Sequence, residues 1–407
     1  MPPSTDGSLL DGALLQRLLD GIERELPRAV ALRHRLHARP ELAHLEQETS
    51  AAVADELPVS SQRVAGTGLI ARVGVDDVVG SSGPSPIAVR AELDGLPVEE
   101  RTGAAFAARG GVMHACGHDV HMAALVALSR AAEELGAALP APLLAVFQPS
   151  EEAYPSGAEQ LADELAAIAP AAIVAAHVHP ELPWGTVALD AGAVNASCDA
   201  VEITVEGEPT HGAYPHRGRD PILAIANVVL ALHAELGRRI DPVHAASLTV
   251  GVLEGGSAEN IVPGAAHARV ALRAHRPEDR LALRAMVEDV VAGIAAAHGC
   301  RGTVALVPGE PALENDPRIV SNSRELLEGA GLVAAEEWRS CGSDDFAFFG
   351  AIAPLAMGFV GLDGAAGFTV RPLHHPELLP PDEAVGAVAR TQAVLYVAAV
   401  LSSVPSP

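Results

Sequence analysis

Apolar and polar positions follow two different patterns along the chain, and the first predicts an α/β fold. Short uninterrupted apolar runs, typical of strands buried on both faces, alternate with segments in which apolar residues recur at helical spacing. We predict strands at residues 68–75, 86–91, 142–147 and 171–176, and helices at 9–36, 120–135 and 157–168. Alternation of this kind is typical of a central sheet covered by helices.

The pattern changes after about residue 195. Residues 199–205 and 266–273 alternate polar and apolar positions, as strands with one solvated face do. The order strand, helix, strand, strand, helix, strand predicts a split βαβ layer of the α+β class. The predicted strands are residues 199–205, 246–253, 266–273 and 303–307, and the predicted helices are 221–236 and 278–298.

The first pattern resumes after Pro317, with helices predicted at 318–329 and 382–401 and a strand at 355–360. A chain of 407 residues is long enough for two domains. We therefore predict a discontinuous first domain, residues 1–196 and 312–407, interrupted by an inserted domain at 197–311. Turn signals at Gly192 and at 308–311 mark the predicted hinges, and a Gly/Ser/Pro-rich loop is predicted at 80–86.

Polar side chains follow three of the predicted buried strands. Asp94 comes after the second strand, the pair Glu151 and Glu152 after the third, and His177 after the fourth. Open α/β sheets place their chemistry at the carboxyl ends of strands. Adjacent glutamates are usually a solvated surface, but a pair that ends a central strand favours a functional site.

Residues 114–121 (HACGHDVH) contain three imidazoles, one thiol and one carboxylate. Cys116 and His118 flank Gly117, which permits a tight turn that brings both side chains to one point. A lone C-x-H is more often a polar loop that opens a helix. Together with Glu151, Glu152, His177 and His374, however, these donors exceed what one structural zinc needs and suffice for two ions.

Composition and charge exclude several classes of function. The formal charge of −25 argues against nucleic acid or an anionic membrane surface as a partner. All 27 basic residues are arginine, so chemistry that requires a lysine Schiff base or a P-loop lysine is excluded. Four scattered cysteines, no signal-like N-terminus and no uninterrupted apolar run of membrane-spanning length predict a cytoplasmic protein.

A site that holds two cations, each with an open coordination position, predicts hydrolysis of an amide-like bond. Cations held roughly 3.5–4 Å apart lower the pKa of a shared water toward about 7 and polarise a carbonyl group. One glutamate of the 151/152 pair can be a ligand. The other can take a proton from the attacking water and return it to the departing amine.

These motifs, in number, order and spacing, resemble one known family over nearly the whole chain. It is the amidohydrolase branch of the dinuclear metallopeptidase clan, which contains aminoacylases, hippurate hydrolases and hydrolases of auxin–amino-acid conjugates. The matching segments are residues 33–37 (RHRLH), 40–42 (PEL), 90–97 (RAELDGLP), 113–119 (MHACGHD), 148–152 (QPSEE), 177–180 (HVHP), 211–216 (HGAYPH), 260–263 (NIVP), 345–346 (DF) and 373–376 (LHHP).

The resemblance implies a zinc-peptidase-like catalytic domain with a mixed central sheet and an inserted lid and dimerisation domain. It implies two divalent metal ions, zinc first, with manganese, cobalt or nickel as alternatives. The implied ligands are Cys116, His118, Glu152, His177 and His374, with Cys116 in a bridging place.

The resemblance also implies roles for residues that do not bind metal. Glu151 would be the general acid and base, and Asp94 would orient a ligand. His211 would reach into the site of a neighbouring subunit and stabilise the oxyanion. Asn260 and Arg273 would hold the substrate's carboxylate. We therefore expect a homodimer.

The implied substrate is a small N-acyl-L-amino acid, cleaved to a carboxylic acid and a free amino acid. A dipeptidase or carboxypeptidase, or a desuccinylase of the same clan, is the alternative. A non-catalytic binding protein would be expected to lack Glu151 or a ligand, and a structural zinc site would not leave one glutamate of the pair idle.

Two positions depart from the family's usual residues, and two histidines are set aside. Glu92 stands where aspartate is common, and Asp344 where glutamate is common. Each change moves a carboxylate by one methylene. We expect the second histidines of two motifs, His179 and His375, to be surface residues or neighbours of ligands.

Overall fold

A computed structural model describes residues 6–74 and 84–403, and side chains from residue 12 onward. The predicted loop at 80–86 falls mostly outside these residues. The helices are α1 (Asp6–His37), α2 (Gln47–Ala54), α3 (His118–Leu135), α4 (Gly157–Ile168), α5 (Pro221–Arg239), α6 (Pro277–Ala297), α7 (Pro317–Leu326) and α8 (Glu383–Ser403). Strands β1–β8 are Gln62–Val64, Gly68–Val73, Ile87–Glu92, Leu143–Gln148, Ala172–Pro183, Thr186–Ala188, Gly192–Asn195 and Ser197–Glu206. Strands β9–β16 are Thr210–His211, Ala246–Gly255, Ile261–Val262, Ala265–Ala274, Arg301–Pro308, Leu313–Asn315, Val333–Ala334 and Leu355–Asp363.

The described chain folds into two compact units. Unit 1 comprises residues 1–192, 314–338 and 348–407, and unit 2 comprises 193–313 and 339–347. The chain crosses from unit 1 to unit 2 within β7 and back within β14. The assignment of a catalytic role to 1–196 and 312–407, and of a lid and dimerisation role to 197–311, stays a prediction.

Unit 1 contains a mixed eight-stranded sheet in the order β1-β2-β4-β3-β5-β16-β6-β15. Its central strands β4, β3, β5 and β16 are parallel neighbours. Every residue of β3 and β4 is buried, as the continuous apolar runs predict. Side chains of α1, α3 and α8 belong to the same hydrophobic core. The predicted α/β class with a mixed central sheet is confirmed.

Within residues 6–74 and 84–403, two helices, α5 and α8, are long and apolar enough to cross a membrane by length and composition alone. In α8, 89% of the apolar window is buried within unit 1. The apolar character of α8 is therefore accounted for by core packing. In α5 only 28% of the window is buried.

Arg33 and His37 at the end of α1 are buried, although a segment of this polarity at a helix end is usually solvated. Arg33 Nε donates to Asp119 Oδ2 over 2.7 Å, and His37 Nδ1 lies 2.9 Å from the same oxygen. His37 Nε2 lies 3.1 Å from Glu100 Oε1. Burial lowers the pKa of His37, but the charge and hydrogen bonds of Asp119 and Glu100 outweigh it and raise the pKa to about 9.

Unit 2 contains a four-stranded antiparallel sheet in the order β10-β12-β8-β13, with α5 and α6 packed into one core. Elements β8, α5, β10, β12, α6 and β13 follow the predicted order. Buried Asp199 on β8 accepts from Arg280 at 2.6 Å, from Arg284 at 2.8 Å and from the Gly309 amide at 3.2 Å. These hydrogen bonds connect α6 and the end of β13 to β8.

We predict that His37→Asn removes a pH-dependent part of the stability. A pKa raised on folding stabilises the fold fully below the unfolded value of about 6.5, and this stabilisation is lost as pH rises through about 9. The wild type should therefore lose on the order of 3 kcal/mol relative to the variant between these pH values. Urea unfolding at pH 6, 7.5 and 9 measures the difference. The half-buried His34 provides a control variant, His34→Asn, and a difference for His37→Asn that is constant with pH would contradict the prediction.

Candidate metal centre

The sheet of unit 1 brings the predicted donors to one edge. Because β4, β3 and β5 are adjacent and parallel, their carboxyl ends meet there. Asp94 follows β3, and Glu151 and Glu152 follow β4, as predicted. His177 lies inside β5, which runs from Ala172 to Pro183, so the prediction that the strand ends before it is wrong.

Gly117 allows Cys116 and His118 to reach this edge. It caps the N-terminus of α3 with φ of 87°, a left-handed conformation that glycine adopts without strain. A Cβ at this position would lie 2.5 Å from Val178 Cγ2 on β5. The close approach places Cys116 Sγ 3.5 Å from His177 Nε2. Burial lowers the pKa of His177 well below its usual value, which favours the neutral, ligating imidazole.

A second group of donors contains Cys116 as well. His374 Nε2 lies 3.1 Å from Glu152 Oε1, and donor atoms of Cys116, Glu152 and His374 all lie within 4.8 Å of one another. The amide of His374 donates to the carbonyl of Ala115 at 2.8 Å, which fixes the segment beside the 114–118 loop. His374 has φ of 67°, an uncommon value for a residue with a side chain.

Asp94 is hydrogen-bonded to two histidines and to the glutamate pair. The Asp94 carbonyl accepts from His114 Nδ1 at 3.1 Å and from His118 Nδ1 at 2.8 Å, while its carboxylate accepts from the Glu152 amide at 2.9 Å. Because the carbonyl can only accept, Nδ1 of His118 keeps its proton, so in the neutral ring that binds a metal it is Nε2 that carries the lone pair. That Nε2 is buried without a hydrogen-bond partner and lies 3.8 Å from Glu151 Oε2.

Buried Glu46 fixes the turn that presents the glutamate pair. Its Oε1 accepts from the Ser150 amide at 2.8 Å and its Oε2 from Thr67 Oγ1 at 2.7 Å. Ser150 has φ of 54°, and its Oγ accepts from the His44 amide at 2.9 Å. The turn immediately before Glu151 is therefore held by hydrogen bonds from one distant segment, residues 44–46, and Thr67 in turn holds Glu46.

The site carries an excess of negative charge. Burial, followed by the charges of Glu152 and Glu151, raises the pKa of the Cys116 thiol well above its usual value. Burial lowers the pKa of His118, but the hydrogen bond with Asp94 and the nearby carboxylates outweigh it and raise the pKa to about 10. Burial raises the pKa of the Asp94 carboxyl, but His118, whose Nδ1 lies 3.5 Å from Asp94 Oδ1, and the amides of residues 151 and 152 outweigh burial and lower this pKa below its usual value.

These residues fit a pair of divalent cations. Two donor groups, Cys116 with His118 and His177, and Cys116 with Glu152 and His374, share one sulfur atom. Thiolate, imidazole and carboxylate donors are those that zinc prefers. The unpartnered Nε2 of buried His118 is a polar atom that a cation would satisfy.

The predicted residues of unit 2 fall into two places. The side chain of His211 is exposed on β9, which pairs with β11 so that His211 lies opposite Ile261. Asn260 precedes β11, and its carbonyl accepts from the Gly212 amide at 2.7 Å. Arg273 lies elsewhere, on β12, and donates to the Cys341 carbonyl at 2.8 Å. His211 and Asn260 are thus close together within unit 2.

Several residues near the donors were not expected from the sequence. Glu46 has no motif that would reveal it. Trp338 packs its ring 4.8 Å from that of His179 and 4.5 Å from that of Phe359. His375 Nδ1 accepts from the Glu377 amide at 3.1 Å, within its own turn.

Comparison with known proteins identifies the family. The profile of Peptidase family M20/M25/M40 matches residues 88–396. The chain belongs to this family. It is 32% identical to the N-acetyl-L-cysteine deacetylase of Bacillus subtilis over 368 residues, which are 90% of this chain and 86% of that protein. It is also 32% identical to the N-acetyldiaminopimelate deacetylase of the same organism over 368 residues, covering 88% and 94% of the two chains.

The fold of this M20 member is shared with solved structures. The YXEP protein of Bacillus subtilis, described as a dinuclear metal-binding peptidase of the M20 family, superposes with a TM-score of 0.79 and 27% identity. The match covers 92% of this chain and 98% of that chain. The predicted family and the predicted enzyme class, a metal-dependent amide hydrolase, are confirmed. Two divalent metal ions are supported by the same structure and by the donor groups described above.

We predict that Cys116→Ser impairs metal binding in both donor groups. The variant should bind Zn²⁺ at least ten-fold more weakly than the wild type, because a serine hydroxyl replaces the sulfur that both groups contain. Metal content after dialysis and competition with a chromophoric chelator measure the effect. Cys300→Ser, in unit 2, is the matched control. Equal Zn²⁺ affinity and content in wild type and Cys116→Ser would contradict the shared position of the sulfur.

Proposed function

We propose that this M20 enzyme hydrolyses the amide bond of N-acyl-L-amino acids, releasing a carboxylic acid and a free amino acid. The observation that carries the proposal is the position of Glu151, next to Glu152 in the chain and 3.8 Å from the unpartnered His118 Nε2. A carboxylate at this distance can exchange a proton with a water bound beside the donor groups. The deacetylases of N-acetylcysteine and N-acetyldiaminopimelate among its relatives support this substrate class.

The proposed metal ligands are Cys116, His118, Glu152, His177 and His374, with zinc as the proposed metal and manganese, cobalt or nickel as alternatives. The place of Cys116 in both donor groups supports a bridging thiolate. When bound, the two cations supply a water of lowered pKa and polarise the amide carbonyl.

The protein's own groups then handle protons and orientation. Glu151 takes the proton of the attacking water and delivers it to the departing amine nitrogen, which leaves as the free amino acid. Asp94 keeps His118 in the tautomer that presents Nε2, and it holds the Glu152 amide. Glu46 keeps the turn before Glu151 in place through Ser150.

For unit 2 we propose roles as a lid and a homodimer interface. Leu223 and Leu230 on α5 are 53% and 70% exposed, and an apolar helix face of this kind is suited to a second copy of the chain. His211 would stabilise the oxyanion in the partner's site. Its exposed ring accepts from the Ala213 amide at Nδ1 over 3.0 Å, so the proton lies on Nε2, which can donate to an oxyanion. Asn260 and Arg273 would bind the substrate's carboxylate.

We also propose a cytoplasmic location. All four cysteines of the chain, at positions 116, 198, 300 and 341, are free thiols in the structure. A reducing compartment keeps thiols in this state. The charge of −25 fits a small-molecule substrate without a nucleic-acid or membrane partner.

We predict that Glu151→Gln loses nearly all activity and keeps its metals. Glutamine preserves the shape of the side chain but cannot accept the proton, so kcat should fall at least 10²-fold. Release of free amino acid from a panel of N-acyl amino acids, together with metal content, measures the effect. A chelator should abolish wild-type activity. Full activity of Glu151→Gln with bound metal would remove Glu151 from the mechanism, and no release from any member of the panel by wild type would overturn the substrate class.

We predict that His211→Ala lowers turnover far more than stability, because the exposed ring contributes little to the core of unit 2. If His211 serves the partner's site, mixed dimers of His211→Ala with Glu151→Gln contain one intact site and recover part of the activity. Refolded mixtures of the two variants test this. His216→Ala, an exposed histidine in the same segment, is the control. Absence of recovery in verified mixed dimers would contradict a site shared between subunits.

A further inference from the structure

His121 and Glu92 form a buried cluster beside the candidate ligand His177, although neither belongs to the proposed metal ligands. Glu92 is the last residue of β3, His121 lies in the first turn of α3, and His177 lies on β5. Their side chains are at most 6% exposed. The rings of His121 and His177 have centroids 4.5 Å apart. Donor atoms of all three residues lie within 4.8 Å of one another, as in a metal site.

The hydrogen bonds show that His121 is not poised to bind a cation. Its Nδ1 lies 2.8 Å from Glu92 Oε2, and its Nε2 accepts from the Val178 amide at 3.0 Å. Because a backbone amide can only donate, Nε2 must be the acceptor and Nδ1 must carry the proton. Both ring nitrogens are therefore engaged, and the tautomer is fixed by the main chain of β5.

The same peptide segment fixes His177. The Val178 carbonyl accepts from His177 Nδ1 at 2.7 Å, which leaves Nε2 facing Cys116 Sγ at 3.5 Å. The amide of Val178 is bound by His121, and its carbonyl binds His177. The main-chain amide and the main-chain carbonyl of Val178 are thus each hydrogen-bonded to an imidazole.

At the other end of this series of hydrogen bonds, the guanidinium group of Arg90 holds Glu92. Arg90 Nη1 pairs with Glu92 Oε1, and Arg90 Nε donates to Gln148 Oε1 at 2.9 Å. Arg90 and Glu92 are 1% and 2% exposed, so each charge is neutralised inside the protein. Glu92 is therefore committed to Arg90 and His121.

We propose that Arg90, Glu92 and His121 are positioning residues that set the orientation of His177 Nε2 through the main chain of Val178. The sequence of contacts is Arg90 to Glu92, Glu92 to His121, His121 to the Val178 amide, and the Val178 carbonyl to His177. The inference rests on the proposed ligand role of His177. It gives a role to Glu92, which stands where aspartate is common in the family. That role is to hold His121 against the main chain of β5.

Two substitutions at His121 distinguish its contact with Glu92 from its contact with the Val178 amide. Glutamine can place an acceptor where Nε2 stood, and so can keep the bond from the Val178 amide. Asparagine can place a donor where Nδ1 stood, and so can keep the bond to Glu92 while losing Val178. If the Val178 contact positions His177, His121→Asn should bind Zn²⁺ 10–100-fold more weakly than wild type, and His121→Gln should retain most of the affinity.

The measurement is Zn²⁺ affinity of the metal-free full-length protein by chelator competition, with the visible spectrum of the Co²⁺-loaded protein as a second readout of ligand geometry. Tyr396→Phe is the matched control, since it removes a buried hydrogen bond, to the Ala141 carbonyl, elsewhere in unit 1. This control should lower the melting temperature without changing Zn²⁺ affinity or the Co²⁺ spectrum.

Glu92→Asp and Glu92→Gln extend the test if the His121 variants fold poorly. Glu92→Asp keeps the charge and should stay within a few-fold of wild-type affinity. Glu92→Gln replaces the charged acceptor of the His121 Nδ1 proton by a neutral one and leaves the Val178 contact in place, so it should lose affinity only to the smaller extent expected of His121→Gln. Wild-type Zn²⁺ affinity and Co²⁺ spectrum in both His121→Asn and Glu92→Gln would overturn the proposal. A positive result with no hydrolysis of any N-acyl amino acid would leave the positioning role standing and would count against the proposed substrate alone.

Discussion

The hydrogen bonds to Asp94 hold two separate donor loops at one place. Its carbonyl binds the imidazoles of His114 and His118, and its carboxylate binds the amide of Glu152. Asp94 itself follows β3, between the strands that lead to the other donors. A shift of β3 along the sheet would therefore move His118 and Glu152 together. Hydrogen bonds to a single buried residue keep their separation fixed, as a site for two cations at a set distance requires.

The core of unit 1 lets these loops approach closely because it is built from small side chains. Aromatic residues make up only 3% of the chain. Alanine and valine on α3 and α8 pack against the sheet, and Gly21 on α1 faces Ala131 of α3 at a distance that any side chain would obstruct. At the site, Gly117 likewise allows the main chain to approach Val178 closely. Precise donor geometry thus follows from close backbone packing.

The strands and their polar ends were predictable because their pattern is local. Buried runs ending at Asp94 and at Glu151 are visible in the sequence, and Gly117 between Cys116 and His118 indicates a turn. The burial of His37 was not predictable, since its partner Asp119 is 82 residues away. Likewise, the apolar run at 171–176 predicts a strand that ends before His177, whereas pairing with β16 extends β5 to Pro183.

Permanent charge pairs distinguish the scaffold of the site from the proposed metal ligands. Asp119 is neutralised by Arg33 and His37, and Glu92 by Arg90, all within the protein. These buried carboxylates therefore do not depend on a cation for compensation. Cys116 and Glu152 are different. Burial and the charges of Glu152 and Glu151 raise the pKa of the Cys116 thiol, so a thiolate where the two donor groups meet requires a cation for compensation. Loss of metal should therefore change the surroundings of Cys116 and Glu152 first. Helices α1 and α3 and the ends of β3 and β5 should stay joined, because their contacts are made within the chain itself.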